Sequence, residues 1–239
     1  MEKDIFLSLI PDTSVAEQIA NKILDWGFNG KNKSHMGKTG IFFASILDWD
    51  VLGDKLRVMF SVKEDKTQSL ETSIGGYYKN KTINVEVSTS LPLSFEGTRQ
   101  RIYYTLVHVL IHELQHYYQD LWLRKERSYS VGIYSDYDWK YHKSILPFHK
   151  KLPPEEYEGI KLIVQVLLGP SEIDAYVTSC YLLAKIQGIS FQKVLHETLI
   201  RIRSFLFCSF NFLMTKNVRR IYGIIKREFE NYAVLKFGG

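Results

Sequence analysis

The sequence predicts an α+β fold, a small N-terminal sheet followed by a mainly helical C-terminal part. Three observations carry that expectation. Residues 40–87 hold three extended segments, two of them with two-residue apolar alternation. Residues 98–124 contain no Pro and no Gly and repeat apolar side chains at spacings of three and four. The last fifty residues keep helical spacing throughout. A chain of 239 residues with 45% apolar content has enough apolar surface for one domain or two intimate lobes. A single domain is expected, with an α/β lobe over 1–125 and a mainly helical lobe over 126–239. There is no internal repeat, no low-complexity tract and no linker-like Gly/Ser or Pro-rich stretch.

Taken in order, Asp12-Thr13-Ser14 is a capping signal before a short amphipathic helix over about 15–26. Residues 27–40, rich in Gly, Asn and Lys, read as a loop. The extended segments are 40–47, then 55–62 alternating through Leu56, Val58 and Phe60, then 82–87 alternating through Ile83, Val85 and Val87. Tyr77 and Tyr78, after Gly75-Gly76, extend the last of these backwards. The long helix over 98–124 carries a stripe of Ile102, Tyr103, Leu106, Val107, Leu110, Ile111, Leu114 and Tyr117. Residues 128–154, rich in Tyr, Asp, His and Lys without periodicity, read as a long excursion or lid. A helix over about 155–168 follows Pro153-Pro154. Gly169-Pro170 stops it; Ser171 reads as the next N-cap, with Asp174 completing a capping box, and the new helix runs to about Gln187. Ser190 caps a helix to about Phe207, and Asn217 caps another over about 218–235.

Chemistry concentrates at His112-Glu113-Leu114-Gln115-His116, within the long helix. Two histidines four apart lie one above the other on a helix, so both imidazoles can reach one metal ion. Glu113, on the rim of that face, is placed to take a proton from a metal-activated water. Chance matches to this pattern number about 0.01 for this composition, so context must carry the assignment. The helix supplies it: the three residues border the apolar stripe, an arrangement with one side packed and the other facing a cleft. The competing account is a buried helix whose histidines bond backbone carbonyls. His108, one turn earlier, reads as a supporting or packing histidine rather than a ligand.

Catalytic zinc takes three protein ligands and leaves one position open. A third His six residues after the second is absent, since that position is Trp122. The candidates downstream are His142, His149, Asp136, Asp138, Glu155, Glu156, Glu158, Glu172 and Asp174. Glu172 is best placed. It projects from the first turn of a helix whose Ala175 permits close packing against a neighbour. An acid at a helix start is also stabilised by the helix dipole without any metal.

The pentapeptide, followed at a distance by Glu172-Ile173-Asp174-Ala175, resembles the gluzincin group of zinc metallopeptidases. The likeness spans roughly 74–187 and is specific at the pentapeptide. It implies a zincin-like fold in which His112, His116 and Glu172 bind Zn2+ and Glu113 is the general base. It also implies that the strand before the metal helix forms a sheet edge beside the cleft, a part that residues 76–88 would play. One position departs from the pattern: many members carry an Asp four residues after the ligand Glu, and here that residue is Tyr176. Asp120, Asp174 or a backbone carbonyl would then support the histidines. Tyr134, Tyr137, Tyr141, His142, Tyr157 and Tyr176 are the candidate donors to a tetrahedral oxyanion.

Net charge is +5 and the pI about 9.0. Arg201, Arg203, Lys216, Arg219, Arg220, Lys226 and Arg227 supply a late basic run. Acidic residues interleave and no nucleic-acid motif occurs, so this reads as a solvated helix face rather than a nucleic-acid surface; a protease acting on nucleic-acid-bound proteins ranks last among the readings. Phe205, Leu206, Phe207, Phe210, Phe212 and Leu213 form an apolar patch too short and interrupted for a membrane span. It reads as core, or as an interface for a protein partner. Cys180 and Cys208 fall in apolar helical settings and need not pair. Residues 1–14 do not form a secretory signal, which points to a cytoplasmic or other intracellular address, or to a virion component. The expected function is a metallopeptidase acting on protein or peptide substrates. The alternative keeps the zincin scaffold as a binding or structural component of a larger assembly, for example a viral particle, with little or no protease activity.

Overall fold

The computed structural model describes residues 6–28, 34–36, 40–65, 72–91, 96–127, 167–209 and 215–238. The architecture is α+β, with one small sheet and a mostly helical remainder. In order the elements are α1 (Thr13–Phe28), β1 (Ser34–Met36), β2 (Gly40–Val51), β3 (Asp54–Asp65), β4 (Thr72–Lys79), β5 (Thr82–Thr89), α2 (Glu96–Arg127), α3 (Pro170–Gln187), α4 (Phe191–Ser209) and α5 (Thr215–Phe237). Backbone contacts group them into two compact units, Ile10–Tyr118, and Met1–Leu9 with Gln119–Gly239. No helix among the described residues is long and apolar enough to cross a membrane.

In the first unit the five strands run in the order β1-β2-β3-β5-β4. Alternation along β3 and β5 buries one face: Leu56, Val58, Phe60 and Val62 on β3 align with Thr82–Thr89 so that Val58 faces Ile83, Phe60 faces Val85 and Val62 faces Val87. Helix α1 and the part of α2 up to Tyr118 belong to the same unit, and α2 from Gln119 onward belongs to the other. Trp26 of α1 meets Phe60 edge-on, with centroids 6.4 Å apart, and Tyr103 of α2 donates to Glu17 of α1 at 3.2 Å. Two tight turns fix the register. Leu52-Gly53 joins β2 to β3 and Asn80-Lys81 joins β4 to β5, and all four residues have positive φ, as a two-residue hairpin of matching twist requires.

Three details correct the sequence reading. Ser34–Met36, inside the expected loop, is a short strand paired with the start of β2. The strand immediately before the long helix is not the edge. β5 pairs in parallel with β3 and antiparallel with β4, so it is interior, and among the described residues β4 holds the edge. A simple meander would have put β5 outermost; here β4 is laid down first and β5 returns between it and β3. Finally, Asn217 lies inside α5, which starts at Thr215.

In the second unit α3, α4 and α5 share a core that includes Ile173, Val177, Leu199, Leu206, Ile225 and Phe229. Gly169 is the N-cap residue of α3, and Pro170 occupies its first turn. Pro fits there because its missing N–H would be unpaired anyway and its fixed φ is already helical. Ser171 is therefore inside the helix, and the expected capping box with Asp174 does not form. α3 ends at Gly188, whose φ of 63° is the left-handed conformation that glycine adopts without penalty. Of the apolar C-terminal patch, Leu206 is core and Phe205 is 58% exposed; Phe210, Phe212 and Leu213 lie outside the described residues. Arg201, Arg203, Arg219, Arg220, Lys226 and Arg227 are exposed, as a solvated helix face requires.

Candidate metal centre

Helix α2 supplies most of the candidate site, because its 3.6-residue repeat sorts side chains into rows. One row holds His108, His112 and His116. The neighbouring row holds Val109, Glu113 and Tyr117 and meets the edge strand β4. Tyr117 lies edge-on to Tyr78 of β4, centroids 6.0 Å apart. A Cβ placed on Gly76 of β4 would stand 2.6 Å from Cγ1 of Val109, 3.2 Å from Cγ of Glu113 and 3.3 Å from its Oε1. Only glycine lets the strand backbone come this close, so Gly76 fits β4 against the carboxylate of Glu113.

The imidazoles of His112 and His116 stand edge to face, with their Nε2 atoms 3.2 Å apart. Two nitrogens bound to one tetrahedral zinc at ordinary Zn–N lengths are separated by about 3.3 Å. The spacing also suits a hydrogen bond between neutral rings, so by itself it fits a metal without requiring one. Glu113 and His116 are 5% and 6% exposed and His108 8%. These three are buried, while His112 between them is half-buried.

Glu172 enters from the first turn of α3. α2 is unbroken from His112 to Gln119, and Gln119, three residues after His116, lies next to the histidine row. Its Nε2 donates to the carbonyl oxygen of Ser171 at 3.1 Å and to Oδ2 of Asp174 at 2.7 Å. These two bonds tie the first turn of α3 to α2 on either side of Glu172. One ligand atom from each of His112, His116 and Glu172 lies within 4.8 Å of the others, and no other such group of His, Cys, Asp and Glu occurs among the described residues. Two nitrogens and one carboxylate oxygen form a donor set suited to zinc. His108 is not in the group.

The remaining sequence candidates divide cleanly. His142, His149, Asp136, Asp138, Glu155, Glu156 and Glu158 lie outside the described residues, as do the 128–154 excursion and the oxyanion candidates Tyr134, Tyr137, Tyr141 and Tyr157. Tyr176 packs against Phe229, centroids 5.7 Å apart. Asp174 is fully buried, but on partners other than a cap. It accepts from Gln119, from Thr178 Oγ1 at 3.3 Å and from Tyr232 OH at 2.8 Å, and it pairs with Lys236 at 2.5 Å. Sequence reasoning missed Gln119, Tyr232 and Lys236. A usable signal was present: Asp174/Thr178 and Tyr232/Lys236 are two polar pairs, each four apart, on helices that otherwise bury apolar residues there.

Neither cysteine is in a disulfide; Cys180 is buried and Cys208 exposed. Burial pushes the Cys180 thiol up to about 12, which removes it from nucleophilic chemistry near neutrality.

No family model matches this chain, and no curated protein or solved structure matches it either.

Proposed function

We propose that this protein is a zinc-dependent metallopeptidase of gluzincin type with a zincin-like fold, and that His112, His116 and Glu172 hold the ion. The observation that carries the reading is the grouping of these three side chains, with Glu113 next to His112 in the helix and buried. Zinc in such a site lowers the pKa of water and polarises a carbonyl. The chain's own residues supply the rest. Glu113 accepts the proton of the attacking water and delivers it to the leaving amine, so no protein nucleophile is needed. Its burial and its contact with β4 at Gly76 hold the carboxylate in one place. As the edge strand, β4 is where an extended peptide would add through backbone hydrogen bonds, which favours a peptide substrate over a compact small molecule.

The test is elemental analysis for zinc per chain, followed by cleavage of a denatured protein substrate by the parent and by Glu113→Gln. The reading expects one zinc in both and cleavage by the parent alone. Parent-level cleavage by Glu113→Gln overturns the role of Glu113. Zinc without cleavage of any substrate by the parent would instead favour a zinc-bearing structural component of a larger assembly.

A further inference from the structure

Metal sites depend on the groups that hold the ligands as well as on the ligands themselves. Here the two imidazoles share one helix, whereas Glu172 depends on how α3 is seated. The first turn of α3 is seated by Asp174, two residues after Glu172, and Asp174 is the centre of a buried network. Its Oδ2 accepts from Gln119 of α2. Its Oδ1 accepts from Tyr232 and Lys236 of α5 and from Thr178 one turn along α3. The Lys236 and Asp174 side chains are both 0% exposed.

Lys236 does more than neutralise Asp174. Its ammonium also lies 2.9 Å from Thr178 Oγ1, 3.0 Å from the carbonyl oxygen of Phe6 and 2.9 Å from that of Leu9. The next residue, Phe237, stacks on Tyr181 of α3 with centroids 3.8 Å apart and planes 9° off parallel. It meets Phe191 of α4 edge-on. The last turn of α5 thus grips α3 twice, at Asp174 near its start and at Tyr181 further along. A buried ion pair of this kind adds little net stability over an apolar replacement, because desolvation offsets the attraction, but it is strongly directional. That directionality fixes α3 in rotation and height against Gln119.

We infer that Lys236, acting through Asp174 and Gln119, is a positioning residue that sets Glu172 for metal binding, so that the last turn of α5 controls the affinity of a site to which it contributes no ligand. The inference rests on the reading of His112, His116 and Glu172 as the metal centre. Groups that hold metal ligands from behind typically change metal affinity by about 10–100-fold when removed.

The test uses Co2+ in place of zinc, with affinity and visible absorption measured on the full chain. The variants are Lys236→Met, the charge-free pair Asp174→Asn/Lys236→Met, and Tyr232→Phe, which removes one hydrogen bond and no charge. Val194→Ala, a core change on α4, controls for loss of stability, and all titrations are run well below each variant's Tm. The parent should bind one Co2+. Lys236→Met should weaken binding about 10–100-fold with an altered absorption band, Tyr232→Phe should weaken it less, and Val194→Ala should keep the parent's affinity and band. If Lys236→Met does not fold, Tyr232→Phe and the charge-free pair carry the decision. Parent affinity and band in every folded variant of the network would overturn the inference, as would an equal loss in Val194→Ala. Failure of the parent to take up Co2+ is a separate result: it removes the metal centre itself, and the inference with it.

Discussion

His112 and His116 stand four residues apart on one helix, whereas Glu172 stands on another helix far along the chain. The first two are placed by local geometry alone. Any sequence that keeps α2 helical keeps these imidazoles in one row, and seven fully buried apolar residues between Ile102 and Tyr117 keep α2 in place. The turn of α3 that carries Glu172 is bonded to distant segments, through Asp174 to Gln119 on α2 and to Tyr232 and Lys236 on α5. The lesson is that a candidate metal centre can be half encoded in five consecutive residues while its other half depends on helix seating that no short motif reveals. The local half should tolerate changes elsewhere; the distant half should not.

The comparison breaks most sharply at Glu113. Glu113→Gln should lower cleavage by about 10²–10⁴-fold, the usual worth of a positioned acid–base group, while bound zinc stays at parent level by elemental analysis. Gly76→Ala tests the same carboxylate from the sheet side. An added methyl would meet Val109 and Glu113, and a displacement of about 1 Å can cost about 10²-fold in rate. Cleavage assays should show that loss with zinc content unchanged, because the nearest atoms to the new methyl belong to Val109 and Glu113 and not to either imidazole.

Stability separates the two halves next. Lys236→Met leaves the buried carboxylate of Asp174 without its cation and should lower unfolding free energy by about 3–5 kcal/mol in chemical denaturation. Removing both charges in Asp174→Asn/Lys236→Met should recover most of that loss. A pair worth no more than a surface contact, such as Lys226–Glu230 at 3.7 Å, would instead cost about 0–1 kcal/mol.

The smallest effect concerns the thiols. Cys208 should react with iodoacetamide at neutral pH while Cys180 stays protected until the chain unfolds. Burial raises the Cys180 thiol from 9.0 to about 12. The folded state therefore holds that proton more tightly than the unfolded state. The corresponding stability is present below about 9 and is lost as pH rises towards about 12, which denaturation at a series of alkaline pH values would register.

Much of the fold is legible where a single rule dominates. Alternation through Leu56, Val58 and Phe60 and through Ile83, Val85 and Val87 marks β3 and β5, and uninterrupted spacing marks α2. The order of strands is not legible, because pairing β5 between β3 and β4 depends on contacts that alternation does not encode. Ser34–Met36 escapes notice because three residues are too few to show a period. At the candidate site His112, Glu113 and His116 stand out by residue type and spacing, whereas Glu172 is singled out from several downstream acids and histidines chiefly by the family resemblance. Asp174 misleads: a helix-start acid three residues after a serine looks like a cap, yet α3 starts two residues earlier, with Gly169 as N-cap and Pro170 in its first turn, and the carboxylate serves the interior. The enclosure of Glu113 and His116 is equally hidden, since an amphipathic pattern cannot tell a solvent-facing side from one packed against a polar neighbour.

The most direct test of the central claim is diffraction from zinc-loaded crystals, with anomalous data at the zinc edge to place the ion. One ion is expected, with His112 and His116 nitrogens at about 2.0–2.1 Å and a Glu172 oxygen at about 2.0–2.2 Å. An ion bound elsewhere, or held by the histidine pair while Glu172 stays outside coordination distance, would contradict that claim.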